Sequence, residues 1–253
     1  MDLGLKGLKA VVTGGTKGIG RAIAETFAAE GTHVAFCARN ADEVSQTAAA
    51  LAAKGVTSFG RAVDVGDGPA LAAFVADAAK SLGGLDIVVA NVSALAISND
   101  EAGWKRGFEV DMMGTVRLVD AAMPHLEASA HAAIVTIASV SGREIDFAAG
   151  PYGAFKAAIV HYTQGLAYQL AGKKIRANTV SPGNTYFPGG VWTQIEQGNP
   201  ELFKTALALN PTGRMGTPQE MANATVFLAS PAASFVTGTN LVVDGALTRG
   251  VQL

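Results

Sequence analysis

Tyr152 and Lys156 stand four residues apart in Pro151-Tyr152-Gly153-Ala154-Phe155-Lys156. On a helix that spacing puts both side chains on one face, about one turn apart. A phenol is a poor acid–base catalyst at its ordinary pKa of about 10. A neighbouring ammonium favours the phenolate and brings proton exchange toward neutral pH. Ser139 precedes the pair and can donate a hydrogen bond to a carbonyl oxygen as negative charge builds on it. Together the three residue types fit proton transfer at the oxygen of a carbonyl or alcohol. Each also has an ordinary reading: serine is common in turns after strands, and tyrosine and lysine at helical spacing are often half-buried packing residues.

A second cluster gives these residues a context. Thr13-Gly14-Gly15-Thr16-Lys17-Gly18-Ile19-Gly20 follows a β-rich run and opens a helical pattern. Glycines there let the backbone turn sharply and approach a pyrophosphate, which the N–H groups at the helix start would receive. Gly14, Gly18 and Gly20 are spaced more widely than in G-x-G-x-x-G, so the turn is a variant, but the order strand, turn, helix is the one a dinucleotide site requires. Further on, Cys37-Ala38-Arg39-Asn40 closes the second β-rich run. An acid near this place holds the 2′-hydroxyl of NAD, whereas an arginine accommodates the 2′-phosphate of NADP. With Ala38 in place of an acid, Arg39 and Lys17 together favour NADP(H), although each alone could be a solvated surface cation. Asp64, before Val65, could accept a hydrogen bond from the adenine amino group, or serve only as a turn residue.

The elements that must position these residues are legible as alternating segments. Short β-rich runs cover residues 9–13, 33–37, 85–90, 133–138, 175–180 and 240–243, with a weaker one at 57–63. Alanine-rich helical patterns lie between them, such as 19–29, 42–53, 69–82 and 152–170. This alternation predicts repeated βαβ units: a Rossmann-like, doubly wound α/β fold with a mostly parallel seven-stranded sheet and helices on both faces. Residues 1–253 read as one domain, since no linker or repeat interrupts them. Residues 183 to about 212 lack steady periodicity and carry Gly, Pro and aromatics, the composition of a substrate lid or binding loop; the alternative is a surface excursion with a short helix around 191–197.

With these motifs assembled, the chain resembles the short-chain dehydrogenase/reductase family in its compact single-domain form. The resemblance covers nearly the whole chain: the glycine turn, Asp64, Asn91, Ser139, Tyr152-x-x-x-Lys156, Pro182-Gly183 and Val243-Asp244-Gly245. It implies that Tyr152 exchanges the proton, Ser139 orients the carbonyl, and Lys156 both tunes the tyrosine and holds the nicotinamide ribose. It implies that Gly14, Thr16, Lys17, Gly18, Ile19, Arg39, Asp64, Val65, Asn91, Tyr152, Lys156, Pro182, Gly183 and Thr185 contact NADP(H). Asn91 would lie by the adenosine ribose and Thr185 by the nicotinamide carboxamide. The chain departs from the family's pattern in three places. Ala90-Asn91-Val92-Ser93 stands for Asn-Asn-Ala-Gly, Ala246 replaces a second glycine, and Asp111 occupies the position of a catalytic asparagine. That asparagine anchors a water of a proton relay largely through its backbone carbonyl. An aspartate keeps the carbonyl and adds a negative charge near Lys156.

Composition narrows the classes. Of 253 residues, 19 are basic and 21 acidic, for a net charge of −2, which disfavours a nucleic-acid partner. His33, His125, His131 and His161 show no metal-ligand spacing, so no metal is expected. Ser139 lacks the preceding glycine of a hydrolase elbow. Cys37, the one cysteine, sits in a β-rich run and reads as packing. Met1-Asp2 begins without the positive charge of a signal peptide, and no apolar run reaches the roughly 18 residues of a membrane helix, so a cytoplasmic protein is expected. The expected function is NADP(H)-dependent hydride transfer between nicotinamide and a ketone or secondary alcohol, hydrophobic or 3-oxoacyl in type. The alternative is a non-catalytic NADP(H)-binding redox sensor. The helix from Tyr152 is apolar on more than one face, which together with the resemblance predicts a homodimer or homotetramer.

Overall fold

The computed structural model describes residues 1–251. The chain begins with β1 (Lys9–Thr13), α1 (Gly18–Ala29), β2 (His33–Ala38), α2 (Ala41–Ala52), β3 (Ser58–Ala62), α3 (Gly68–Leu82) and β4 (Ile87–Ala90). Next, α4 (Glu101–Gly107) runs through a π-helical turn, Phe108–Met113, into α5 (Gly114–Glu127). The order continues β5 (Ala133–Ile137), α6 (Pro151–Leu170), β6 (Arg176–Pro182), α7 (Val191–Gly198), α8 (Pro200–Ala208), α9 (Pro218–Ala229) and β7 (Asn240–Val243).

The strands form one sheet in the order β3-β2-β1-β4-β5-β6-β7, with every pairing among the described residues parallel. This is the doubly wound Rossmann-like sheet that the alternation of segments predicts. The central strands are buried on both faces, and alternate side chains enter opposite layers. Val11, Cys37, Val88 and Ile134 face one core, which α3, α5 and α6 cover with Phe74, Leu118 and Leu166. Val12, Phe36, Val89 and Val135 face the other, covered by Ile23 and Phe27 of α1, Leu51 of α2 and Val226 of α9. The weak pattern at 57–63 has a physical reason: β3 is an edge strand and only half-buried.

Local chemistry sets the helix ends. Asn40, Asp67 and Asp100 accept from the third N–H of α2, α3 and α4, and Thr217 forms a capping box with Glu220 on α9. The segment at 183–212 holds two helices, α7 near the short helix expected around 191–197 and α8, which the sequence reading did not include. Asn199 caps α8 by accepting from Leu202 N, and Pro200 occupies its first turn. The pair folds around a satellite core of Trp192, Ala206 and Met215, backed by Ile195, Phe203 and Leu207. Among the described residues no helix is long and apolar enough to cross a membrane.

Candidate functional site

The sheet order reverses between β1 and β4, and the loops at the carboxyl ends of the strands open onto a cavity of about 1500 Å³. Open α/β sheets bind ligands at this switch point. Of the candidate site residues, all but Asp111 line the cavity: Gly14, Thr16, Lys17, Gly18, Ile19, Arg39, Asp64, Val65, Asn91, Ser139, Tyr152, Lys156, Pro182, Gly183 and Thr185. Asp111 lies just behind the wall, in contact with Lys156.

The turn between β1 and α1 is built for close approach. Gly14 and Gly18 have φ of 70° and 51°, the left-handed region that favours glycine. A Cβ on Gly20 would sit 2.2 Å from the Gly14 carbonyl oxygen, so the turn could not close around a larger residue. No side chain caps α1, unlike α2, α3 and α4. The first N–H groups of a helix have no intrahelical partner, and those of α1 open on the cavity wall formed by Gly18 and Ile19. That is the donor set an anion such as a diphosphate fits. Asn91 braces the turn from β4, its Nδ2 donating to the Thr13 and Gly14 carbonyls at 3.0 and 3.4 Å. Its amide donors are thus engaged by backbone, a use its sequence position did not reveal.

At the corner beyond β2, Arg39 is exposed and makes no ion pair among the described residues. Lys17 is engaged: its Nζ lies 2.7 Å from Glu43 Oε1. The Glu43 carboxyl titrates below the usual carboxylate range, chiefly through the hydrogen bond from Lys17. Sequence reasoning passed over Glu43, which is simply the third residue of a capped helix. Asp64 Oδ1 accepts from Gly66 N at 3.0 Å, the turn arrangement, and leaves Oδ2 free of partners among the described residues.

At the other end, α6 and β5 bring the chemical groups together. Lys156 is 2% exposed; its Nζ donates to the Ile137 carbonyl at 2.9 Å and lies 5.7 Å from the centre of the Tyr152 ring. Ser139 Oγ accepts from Ser141 N at 3.2 Å and donates to Ser141 Oγ, which in turn donates to Asp146 Oδ2 at 2.6 Å. This Ser139–Ser141–Asp146 chain is another feature that sequence spacing alone did not expose. Close packing carries the arrangement, since a Cβ on Gly142 would sit 2.7 Å from the Ala157 nitrogen of α6.

Asp111 lies in the π turn, the helical irregularity often found at functional sites. Its Oδ2 accepts from Ala94 N at 2.8 Å, and its Oδ1 lies 3.5 Å from Lys156 Nζ with no hydrogen-bond partner. Its backbone carbonyl, the group expected to hold a relay water, accepts from the Thr115 hydroxyl at 2.7 Å. Over the cavity mouth, Phe187 rests its ring against Gly18, and Phe147 stacks edge-on to Trp192 at 5.5 Å. Trp192 is therefore both cavity wall and part of the satellite core. Cys37 is fully buried, and burial pushes its thiol up to about 12.

A doubly wound parallel sheet with a glycine turn at its switch point, and a serine, tyrosine and lysine beside it, defines a nucleotide-binding oxidoreductase scaffold. A family model described as enoyl-(acyl carrier protein) reductase matches residues 14–248. An isoepoxydon dehydrogenase of Penicillium expansum is 40% identical, over 100% of this chain and 99% of that protein. The crystal structure of L-sorbose reductase from Gluconobacter frateurii, complexed with NADPH and L-sorbose, superposes with a TM-score of 0.91 at 32% identity, over 99% of this chain and 100% of that one. A 7α-hydroxysteroid dehydrogenase complexed with NADH and 7-oxo glycochenodeoxycholic acid superposes with a TM-score of 0.90 at 31% identity, over 97% and 96%. The chain belongs to the short-chain dehydrogenase/reductase family and is an oxidoreductase of alcohol and carbonyl groups.

Proposed function

We propose that the protein is an NADP(H)-dependent oxidoreductase that interconverts a ketone and a secondary alcohol, with Tyr152 exchanging the proton. One observation carries the reading: Ser139, Tyr152 and Lys156 line the same cavity as the glycine turn of α1. When bound there, the nicotinamide cofactor supplies or accepts the hydride. The turn at Gly14, Thr16, Lys17, Gly18 and Ile19 receives the diphosphate on backbone N–H groups. Asp64 and Val65 border the adenine, Asn91 the ribose, and Pro182, Gly183 and Thr185 the nicotinamide. Arg39, exposed and without an ion pair among the described residues, offers its guanidinium to a 2′-phosphate, and the NADPH bound to L-sorbose reductase supports that form.

In the reducing direction Tyr152 gives its phenolic proton to the alkoxide. Lys156 puts a positive charge 5.7 Å from the Tyr152 ring, which favours the negative oxygen left behind. Asp111 and the Ile137 carbonyl hold the Lys156 ammonium in place, so Asp111 is a positioning residue. Ser139 directs its hydroxyl to the carbonyl oxygen, exchanging its present partner Ser141 for substrate. Leu95, Ile97, Phe147, Val191 and Trp192 make the substrate half largely apolar, which fits a hydrophobic ketone or a 3-oxoacyl chain. Helices α7 and α8 act as its lid, and closing apolar walls over the reacting atoms excludes water.

The test is NADPH consumption across a panel of ketones and 3-oxoacyl thioesters, repeated with NADH. Tyr152→Phe is expected to lower turnover by about 10²–10⁴-fold with cofactor binding nearly intact. Unchanged turnover would refute the proton-transfer role. Silence over the whole panel, with tight NADPH binding, would instead favour a redox-sensing binding protein.

A further inference from the structure

Three charged side chains from three elements meet at one corner of the cavity: Lys17 from the glycine turn, Arg39 from the end of β2, and Glu43 from the first turn of α2. Two bonds tie Glu43 across the corner. Its Oε1 lies 2.7 Å from Lys17 Nζ, and its Oε2 accepts from the Thr16 hydroxyl at 3.2 Å. Its backbone is fixed as well, since Glu43 N donates to the capping Asn40 Oδ1 at 3.0 Å. A carboxylate in the first turn of a helix is also favoured by the helix dipole. The corner therefore carries one uncompensated positive charge, that of Arg39, rather than the two its cations alone would give.

This alters what the corner can recognise. A phosphate monoester brings nearly two negative charges, which Glu43 opposes and for which it competes at Lys17. A ribose hydroxyl brings a donor, and an ionised carboxylate is an acceptor with unused lone pairs. We propose that Glu43 sets the cofactor preference, withholding Lys17 from the 2′-phosphate of NADP(H) and accepting a hydrogen bond from the 2′-hydroxyl of NAD(H). The inference rests on the reading of this cavity as a nicotinamide dinucleotide site and deepens it: both cofactors are used, and the advantage of NADP(H) comes from Arg39.

Glu43→Gln removes the charge while keeping the acceptor toward Thr16, on a side chain exposed enough to leave the fold intact. Dissociation constants for NADPH, NADH, 2′,5′-ADP and AMP are measured by calorimetry on the full-length protein and its variants. In Glu43→Gln, NADPH and 2′,5′-ADP are expected to bind roughly two- to fivefold more tightly, with NADH and AMP unchanged or weaker. Lys17→Ala is expected to cost NADPH little in the parent protein and about fivefold in the Glu43→Gln background, where the lysine has been released. An NADPH-to-NADH ratio unchanged by Glu43→Gln would overturn the proposal. So would an equal cost of Lys17→Ala in both backgrounds. If the parent bound neither dinucleotide, the cavity reading itself would fall and this inference with it, an outcome distinct from binding with an unaltered ratio.

Discussion

Replacing Lys156 with methionine tests whether the buried pair behind the tyrosine is an energetic unit. The side chains of Lys156 and Asp111 are 2% and 3% exposed, with Nζ 3.5 Å from Oδ1. Among the described residues Asp111 has one further side-chain partner, the Ala94 N–H on Oδ2, while Oδ1 has no hydrogen-bond partner. Methionine preserves most of the length of the lysine stem and removes the charge, leaving a carboxylate buried without a counterion. Stranding one partner of a buried pair costs about 3–5 kcal/mol. At about 2–4 °C per kcal/mol for a protein of this size, the melting temperature should fall by roughly 6–20 °C. Asp111→Asn keeps an acceptor for Ala94 and removes the negative charge, so Lys156→Met with Asp111→Asn should recover much of the loss. Urea and thermal denaturation of the parent, both single variants and the double variant close the cycle without any activity measurement. A coupling of about 2–3 kcal/mol is expected. Strictly additive effects, within about 0.5 kcal/mol, would refute the pair as the element that holds Lys156 in place.

Two further outcomes follow from burial. Cys37 should stay unmodified by a thiol-selective disulfide reagent at pH 8 and react at once in denaturant, because the thiolate is the nucleophile and the buried thiol titrates at about 12. The folded state holds this proton more tightly than the unfolded one, so the associated stability is intact below pH 9.0, the unperturbed value, and declines as pH rises toward about 12. Reaction of the folded protein at pH 8 would contradict the burial. Trp192→Ala removes a 6%-exposed ring from the satellite core, a loss of about 3–5 kcal/mol that should fall on α7 and α8 rather than on the sheet. Faster proteolysis within residues 183–212 and a raised KM for bulky substrates are expected. An unchanged KM would count against Trp192 as a substrate wall.

Much of the scaffold could be read directly because its signals are local. Strand runs at 9–13 and 240–243 match β1 and β7 residue for residue, since short β-branched, apolar runs and their flanking turns are written within a few positions. The sequence reading passed over α8, although Asn199-Pro200-Glu201 is a local start signal, because the irregular apolar pattern around it belongs to a separate small core. The candidate chemical groups were found for the same reason: Tyr152 and Lys156 are one helical turn apart, and Ser139 closes a strand.

The amino-acid sequence determined the order of strands and helices, the glycine turn, and the identity of the serine, tyrosine and lysine. These follow from periodicity, backbone freedom and spacing along the chain. Tertiary structure decided which charges face each other. Asp111 and Lys156 are 45 positions apart in sequence and meet only because the π turn and α6 pack against each other. Glu43 reaches Lys17 only because α2 folds back beside the start of α1, and Asn91 reaches Gly14 only because β4 lies next to β1. Coulomb and hydrogen-bond energies depend on distance through space. For that reason no reading of Lys17 along the chain could tell whether its charge was free or already answered.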